Sequence, residues 1–114
     1  MEDCLFCKII KGEIPSTKIY EDEFVYAFKD INPLAPVHIL VVPKNHIGSA
    51  AEITAEKSGV VSKIFEAAAK IAKEQGIAED GFRIVTNCGD HGCQSVHHLH
   101  FHILGGKQLE ASMG

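Results

Sequence analysis

The chain has no uninterrupted run of eighteen apolar residues, which excludes a membrane-spanning helix from its reading. Its start also has no basic segment followed by an apolar stretch, so no signal peptide is expected and the predicted compartment is the cytoplasm. Positive charge is scarce: 11 Lys and Arg stand against 15 Asp and Glu, a net charge of -4. Without a broad basic face, neither a nucleic-acid polymer nor an anionic membrane is expected as a partner. A small anionic ligand held by local donors stays compatible with that charge. The phosphate-binding run G-x-x-x-x-G-K-[ST] is missing, as is an acidic cluster for magnesium, so kinase-type phosphate chemistry is excluded and no magnesium or organic cofactor is expected. There is no internal repeat, linker or low-complexity segment. With 46% hydrophobic and 23% charged residues, residues 1–114 read as a single domain small enough that dimerisation would help to bury surface. In a reducing compartment Cys4, Cys7, Cys88 and Cys93 read as thiols or metal ligands rather than a disulfide frame.

Histidine, in contrast, is concentrated. Of seven in the chain, His97, His98, His100 and His102 fall within six positions. As a β-strand this stretch puts His98, His100 and His102 on one face and Leu99, Phe101 and Ile103 on the other. At ~3.3 Å per residue His98 and His102 lie about 13 Å apart at Cα, too far to share one zinc ion unless the strand bends, so the three histidines must divide the work. A neutral imidazole is a competent nucleophile near neutral pH, and the middle one, His100, is read as the attacking group. The competing reading is an edge strand with a histidine-rich solvated face.

Residues 3–11 suggest a short helix with Asp3 as N-cap, on which Cys4 and Cys7 share a face. They supply half of a four-ligand zinc site, with His46 and a histidine of the 97–102 run as candidates for the rest; the alternative is two small buried residues. Residues 18–21 and 23–29 read as a hairpin, and 38–42 as a central strand apolar on both faces beyond His38. Between them Pro33 and Pro36 stiffen a loop in which Asp30 could accept bonds from two ribose-like hydroxyls or simply cap a turn. His38 could meet the triad or be a satisfied structural residue. A helix is predicted over 49–75, with Thr54 as N-cap, an apolar stripe through Val60, Val61, Ile64, Phe65, Ala68, Ile71 and Ala72, and Gly76 as its stop. Residues 81–87 alternate as another strand. They lead into Cys88–Cys93, a turn-rich loop able to aim backbone N–H groups at a phosphate, or merely to connect two strands.

These residues together resemble the histidine-triad (HIT) nucleotide-binding proteins, and within them the Hint branch. The resemblance runs from Phe6-Cys7-Lys8-Ile9-Ile10-Lys11-Gly12-Glu13-Ile14-Pro15, through Asp30-Ile31-Asn32-Pro33 and His38–Lys44, to Gln94–Gly106, the most specific of the motifs. It implies an α+β fold: a five-stranded antiparallel sheet with one long helix and a short N-terminal helix, two chains joining as a homodimer with a ten-stranded sheet. It implies hydrolysis of the P–N bond in purine nucleoside 5'-phosphoramidates. His100 would attack phosphorus, His102 would contact the phosphate, His98 and His38 would orient the nucleophile, and Ser95 would donate to the phosphate or the leaving nitrogen. Asp30 would take the ribose hydroxyls; Phe6, Ile9, Phe28 and Ile31 would line the base pocket, with Asn87 and Cys93 near the phosphate. Relatives that begin with C-x-x-C imply structural zinc on Cys4, Cys7, His46 and His98.

Two departures stand out. Cys93 occupies a position where the Hint branch usually has glycine, so a positive φ there would strain or reshape the phosphate loop. The ending Leu109–Gly114 lacks the Trp-Pro of animal relatives. The alternatives are a dinucleoside polyphosphate hydrolase of the same family, a non-catalytic nucleotide-binding or protein-interaction module, and a site in which the histidines hold a catalytic zinc.

Overall fold

The computed structural model describes residues 3–113. In order they form α1 (Leu5–Ile10), β1 (Lys18–Glu21), β2 (Val25–Lys29), β3 (Val37–Pro43), a 3₁₀ turn (Ala50–Glu52), α2 (Gly59–Glu74), β4 (Phe82–Val85) and β5 (Phe101–Gly105). The strands make one antiparallel sheet in the order β1-β2-β3-β5-β4. β2 and β3 are rich in β-branched and aromatic residues and almost wholly buried, which is why they sit in the interior of the sheet. No helix among the described residues is long and apolar enough to cross a membrane.

Period-two alternation gives the sheet two different faces. Val25, Ala27, Ile39, Val41, Phe101 and Ile103 pack on Ile64, Ala67, Ala68, Ile71 and Ala72 of α2, an all-carbon core. Each large aliphatic side chain buried there contributes roughly 1.5–3 kcal/mol of transfer free energy. Tyr26, Phe28, Leu40 and Val42 turn the other way and pack on Phe6 and Ile9 of α1. That second face carries the site. Along it the register places Phe28 opposite Leu40, and Leu40 opposite His102.

Three element boundaries differ from the sequence reading. The long helix begins at Gly59, not within the stretch after Ser49, and Thr54 is not its N-cap. The Ser49 hydroxyl instead accepts the Ala51 N–H and opens the 3₁₀ turn, Ile53 is extended, and the Lys57 and Ser58 N–H groups fold onto the Thr54 carbonyl. The continuous apolar stripe starts only at Val60, and the earlier contacts with the core, Ala50 and Ile53, are too few to hold a helix there that propensity alone does not sustain. The C-terminal end matches, with Gly76 at φ +73. The short helix is capped by Cys4 rather than Asp3: Cys4 is extended and its Sγ accepts the Cys7 N–H at 3.4 Å. The histidine strand is shorter than its alternation suggests, because ladder pairing begins only at Phe101. Upstream, the Leu99 N–H bonds to the Ile47 carbonyl and the His98 N–H to Val96. Alternation survives this bend: Leu99 still enters the α2-side core while His98 and His100 turn toward α1.

Candidate functional site

The three histidines of the triad go to three different surroundings. His98, fully buried, joins Cys4, Cys7 and His46, whose ligand atoms all lie within 4.8 Å of one another. Cys4 reaches this point as the cap of α1, Cys7 from its first turn, and His46 from the segment after β3. The Cys4 Sγ–His98 Nδ1, Cys7 Sγ–His46 Nδ1 and Cys7 Sγ–His98 Nδ1 separations are 3.3, 3.4 and 3.5 Å. A tetrahedral zinc with Zn–S ~2.3 Å and Zn–N ~2.0–2.1 Å requires S···N separations of about 3.5 Å, so this donor set fits the ion. His98 Nε2–H donates to the Pro43 carbonyl at 2.9 Å, which turns the Nδ1 lone pair toward the sulfurs, the outer-shell arrangement of a metal-binding histidine. Burial, then the adjoining Cys4 sulfur, push the Cys7 thiol up, a tendency that a bound dication would reverse.

His102 belongs to a hydrogen-bond relay. The Leu34 N–H donates to His38 Nδ1 at 3.0 Å, so the His38 proton sits on Nε2 and is donated to His102 Nδ1 at 2.9 Å. His102 in turn carries its proton on Nε2. Asp30 Oδ2 stands 3.4 Å from His38 Nε2. Burial lowers the pKa of both rings. For His38, Asp30 opposes the shift; His102, with His100 and His38 also beside it, drops to about 4 and is therefore neutral at pH 7. Asp30, His38 and His102 lie close enough together to suggest a second metal site. The Leu34 N–H argues against it: a metal on His38 Nε2 would force a proton onto Nδ1, facing that N–H.

His100, 3% exposed, stands between these two groups. Its Nδ1–H donates to the His98 carbonyl at 2.7 Å, and the Phe6 ring lies edge-on at 5.1 Å. The Thr86 hydroxyl donates to the His100 carbonyl at 2.7 Å, just past the end of β4, where no ladder bond is available. Among the described residues no buried side-chain nitrogen or oxygen lacks a partner, so His100 Nε2, which has none, reaches solvent with its lone pair free. His98 thus touches His100 through its main-chain carbonyl, while its ring turns to the thiol cluster.

A cavity of about 240 Å³ opens beside His100 and His102. Phe6, Ile9, Phe28, Asp30, Ile31 and Ser95 line it with those two histidines. Its volume is a little below the about 300–1,000 Å³ common for ligand clefts. Asp30 Oδ1 accepts the Asn32 N–H at 2.8 Å as a turn cap, and the residue also lines the cavity.

Asn87 and Cys93 are not in the cavity wall. Asn87 Nδ2 donates to the Gly92 carbonyl at 2.6 Å and so shapes the loop that leads to the triad. Cys93 is exposed at φ +62, the only non-glycine with positive φ among the described residues, so the glycine-like conformation is kept and strained rather than remodelled. Gln94 secures this loop, accepting from the Gly89 N–H and donating to the Gly48 and Val96 carbonyls. Leu5, Ile14, Ser16, Leu40 and Val96 line the cavity without having been singled out from the sequence. Leu40 alone had a signal, as the position between Ile39 and Val41 that must face away from α2.

A family model described as "Scavenger mRNA decapping enzyme C-term binding" matches residues 3–114. The purine nucleoside phosphoramidase of Escherichia coli (strain K12) is 46% identical over 108 residues, 95% of this chain and 91% of that protein. A 14 kDa zinc-binding protein of Zea mays is 50% identical over 107 residues, 92% of this chain and 83% of its own. A HIT family hydrolase from Clostridium thermocellum superposes with a TM-score of 0.97 at 51% identity, covering 99% of this chain and 98% of that one. A histidine triad protein from Clostridium difficile gives 0.96 at 54% identity over 98% and 97%.

Proposed function

Because the chain belongs to the histidine-triad (HIT) family, we propose that it hydrolyses the P–N bond of purine nucleoside 5'-phosphoramidates through a nucleotidyl-histidine on His100. The observation that carries this reading is the free Nε2 lone pair of His100, aimed from a buried ring whose other nitrogen is tied to a carbonyl. That lone pair attacks phosphorus and the P–N bond breaks, the departing nitrogen taking a proton from Ser95 or solvent. The imidazole then carries positive charge, which the His98 carbonyl at Nδ1 stabilises. His102, neutral with an Nε2–H, donates to a non-bridging oxygen without adding a cation to the ground state. Water next attacks phosphorus, losing a proton to solvent, and the P–N bond to His100 Nε2 breaks, releasing the nucleoside monophosphate and returning the electron pair to Nε2. Cys4, Cys7, His46 and His98 would hold zinc in a structural capacity, fixing α1 and the bend before His100. We place the protein in the cytoplasm as a homodimer joined through one of the two open sheet edges, β1 or β4.

The test is His100→Asn. With an adenosine phosphoramidate as substrate, turnover should fall by at least about 10³-fold, and the adenylyl adduct seen by mass spectrometry of alkali-quenched wild-type protein should vanish. Unchanged turnover, or an adduct on another residue, would overturn the assignment.

A further inference from the structure

One polar feature of the cavity has no part in the chemistry above. At its end nearest β1 stands Ser16, whose Oγ lies 2.9 Å from the Tyr26 hydroxyl. The register Lys18↔Phe28, Phe28↔Leu40, Leu40↔His102 puts three strand spacings between β1 and the triad. At ~4.8 Å each this is about 14 Å between Lys18 and His102, and Ser16 and His100, each two residues earlier in the chain, line one cavity that runs from the triad toward β1. With phosphorus at His100 and the sugar at Asp30, the base edge remote from the sugar falls at Ser16. Phe6, Ile9, Ile14, Phe28 and Leu40, which line the same cavity, are apolar, and Lys29, its other polar residue away from the triad, is exposed, so Ser16 is the neutral hydroxyl available to that edge.

We infer that the Ser16–Tyr26 hydroxyl pair reads the 6-substituent of the bound purine and accepts either an amino or an oxo group there. This rests on the proposed function. The chemistry lies in the reversibility of the pair, since either oxygen can be the donor. When Ser16 donates to Tyr26, the Ser16 lone pairs face the cavity and accept an adenine 6-amino N–H. When Tyr26 donates to Ser16, the Ser16 hydrogen is free to donate to a guanine 6-oxo oxygen. Tyr26 is buried and held against Phe28, so its hydroxyl is a fixed backstop rather than a mobile surface group. A purine with hydrogen at position 6 offers neither partner and leaves the pair facing an apolar edge.

Calorimetric titration of the full-length protein with AMP, GMP and the 5'-phosphate of unsubstituted purine riboside tests this. Wild-type protein should bind AMP and GMP within about threefold of each other and the 6-unsubstituted nucleotide about 5- to 10-fold more weakly, the worth of one neutral hydrogen bond. Ser16→Ala should bring AMP and GMP down to that weaker level and leave the third nucleotide unchanged, while Ser16→Thr, which keeps the hydroxyl, should restore the difference. Equal weakening of all three would make the pair a mere structural tie, and no weakening of any would remove it from recognition; either result overturns the inference alone. Failure of wild-type protein to bind any purine nucleotide would overturn the proposed function with it.

Discussion

Two histidine groups stand side by side on the same face of the sheet and differ in one respect, the partner of the second ring nitrogen. In the thiol cluster, His98 gives its Nε2–H to the Pro43 carbonyl and keeps a lone pair for soft ligands. In the relay, His102 Nδ1 accepts a hydrogen bond from His38 Nε2–H, and the ring so shows a donor to the cavity. His100, between them, gives its Nδ1–H to a carbonyl and shows a lone pair. One residue type on one stretch of chain thus presents a lone pair to the thiols, a donor to the cavity or a lone pair beside it, according to which nitrogen the backbone or the relay engages.

The strongest way to break the comparison is to remove a sulfur. Cys7→Ser should drop bound zinc well below one per chain, and the melting temperature should fall on the order of 10–15 °C, about 3 kcal/mol for a domain of this size. The residual folded protein should also bind AMP more weakly, because α1, which the cluster ties down through Cys4 and Cys7, supplies Phe6 and Ile9 to the cavity wall. If zinc content and melting temperature both stay at wild-type values, the cluster is only two thiols beside two imidazoles.

Acidification probes the other group. The folded-state pKa values of His38 and His102 lie below the ordinary imidazole value of 6.5, so between pH 6.5 and about 4 the unfolded chain binds protons that the folded chain refuses. Stability should therefore be intact above pH 6.5 and decline as pH falls. For His102 the decline is at most about 3 kcal/mol and less in practice, since its edge meets the open cavity. Urea midpoints at pH 7.0, 6.0 and 5.0 would measure it above the range where Asp22 and Glu21, both lowered by their partners, begin to titrate. His102→Gln should reduce the slope, leaving the share of His38, His46 and His98, whose pKa values burial also lowers; an unaltered slope in that variant would show that His102 is not one of its sources.

The smallest effect concerns the loop ahead of both groups. Cys93→Gly relieves a side chain held at φ +62, and after the added freedom of the unfolded chain is subtracted a gain of up to about 1 kcal/mol remains. A lower urea midpoint for this variant would mean that the thiol makes a stabilising contact that outweighs the strain.

Much of the site was legible because period-two alternation is a local property. Phe28, His38 and His102 had to face away from Ala27, Ile39 and Phe101, and the structure keeps them so. The start of α2 was not legible: Ser49, Thr54 and Ser58 are all competent caps, and the choice among them depends on where the sheet first offers an apolar partner. Nor was the role of Asn87, whose side chain bonds to the Gly92 carbonyl five residues later through a turn that composition does not dictate.

The sequence by itself determined which side chains share a face, that C-x-x-C would present two sulfurs together, and that His100 would be flanked by two other imidazoles. Tertiary structure decided what each imidazole can do. A ring's tautomer is set by whichever donor or acceptor lies within ~3 Å of its second nitrogen, and for His98 and His102 that group is the Pro43 carbonyl or His38, 55 and 64 residues away along the chain. Only the folding of β3 against β5 brings them there.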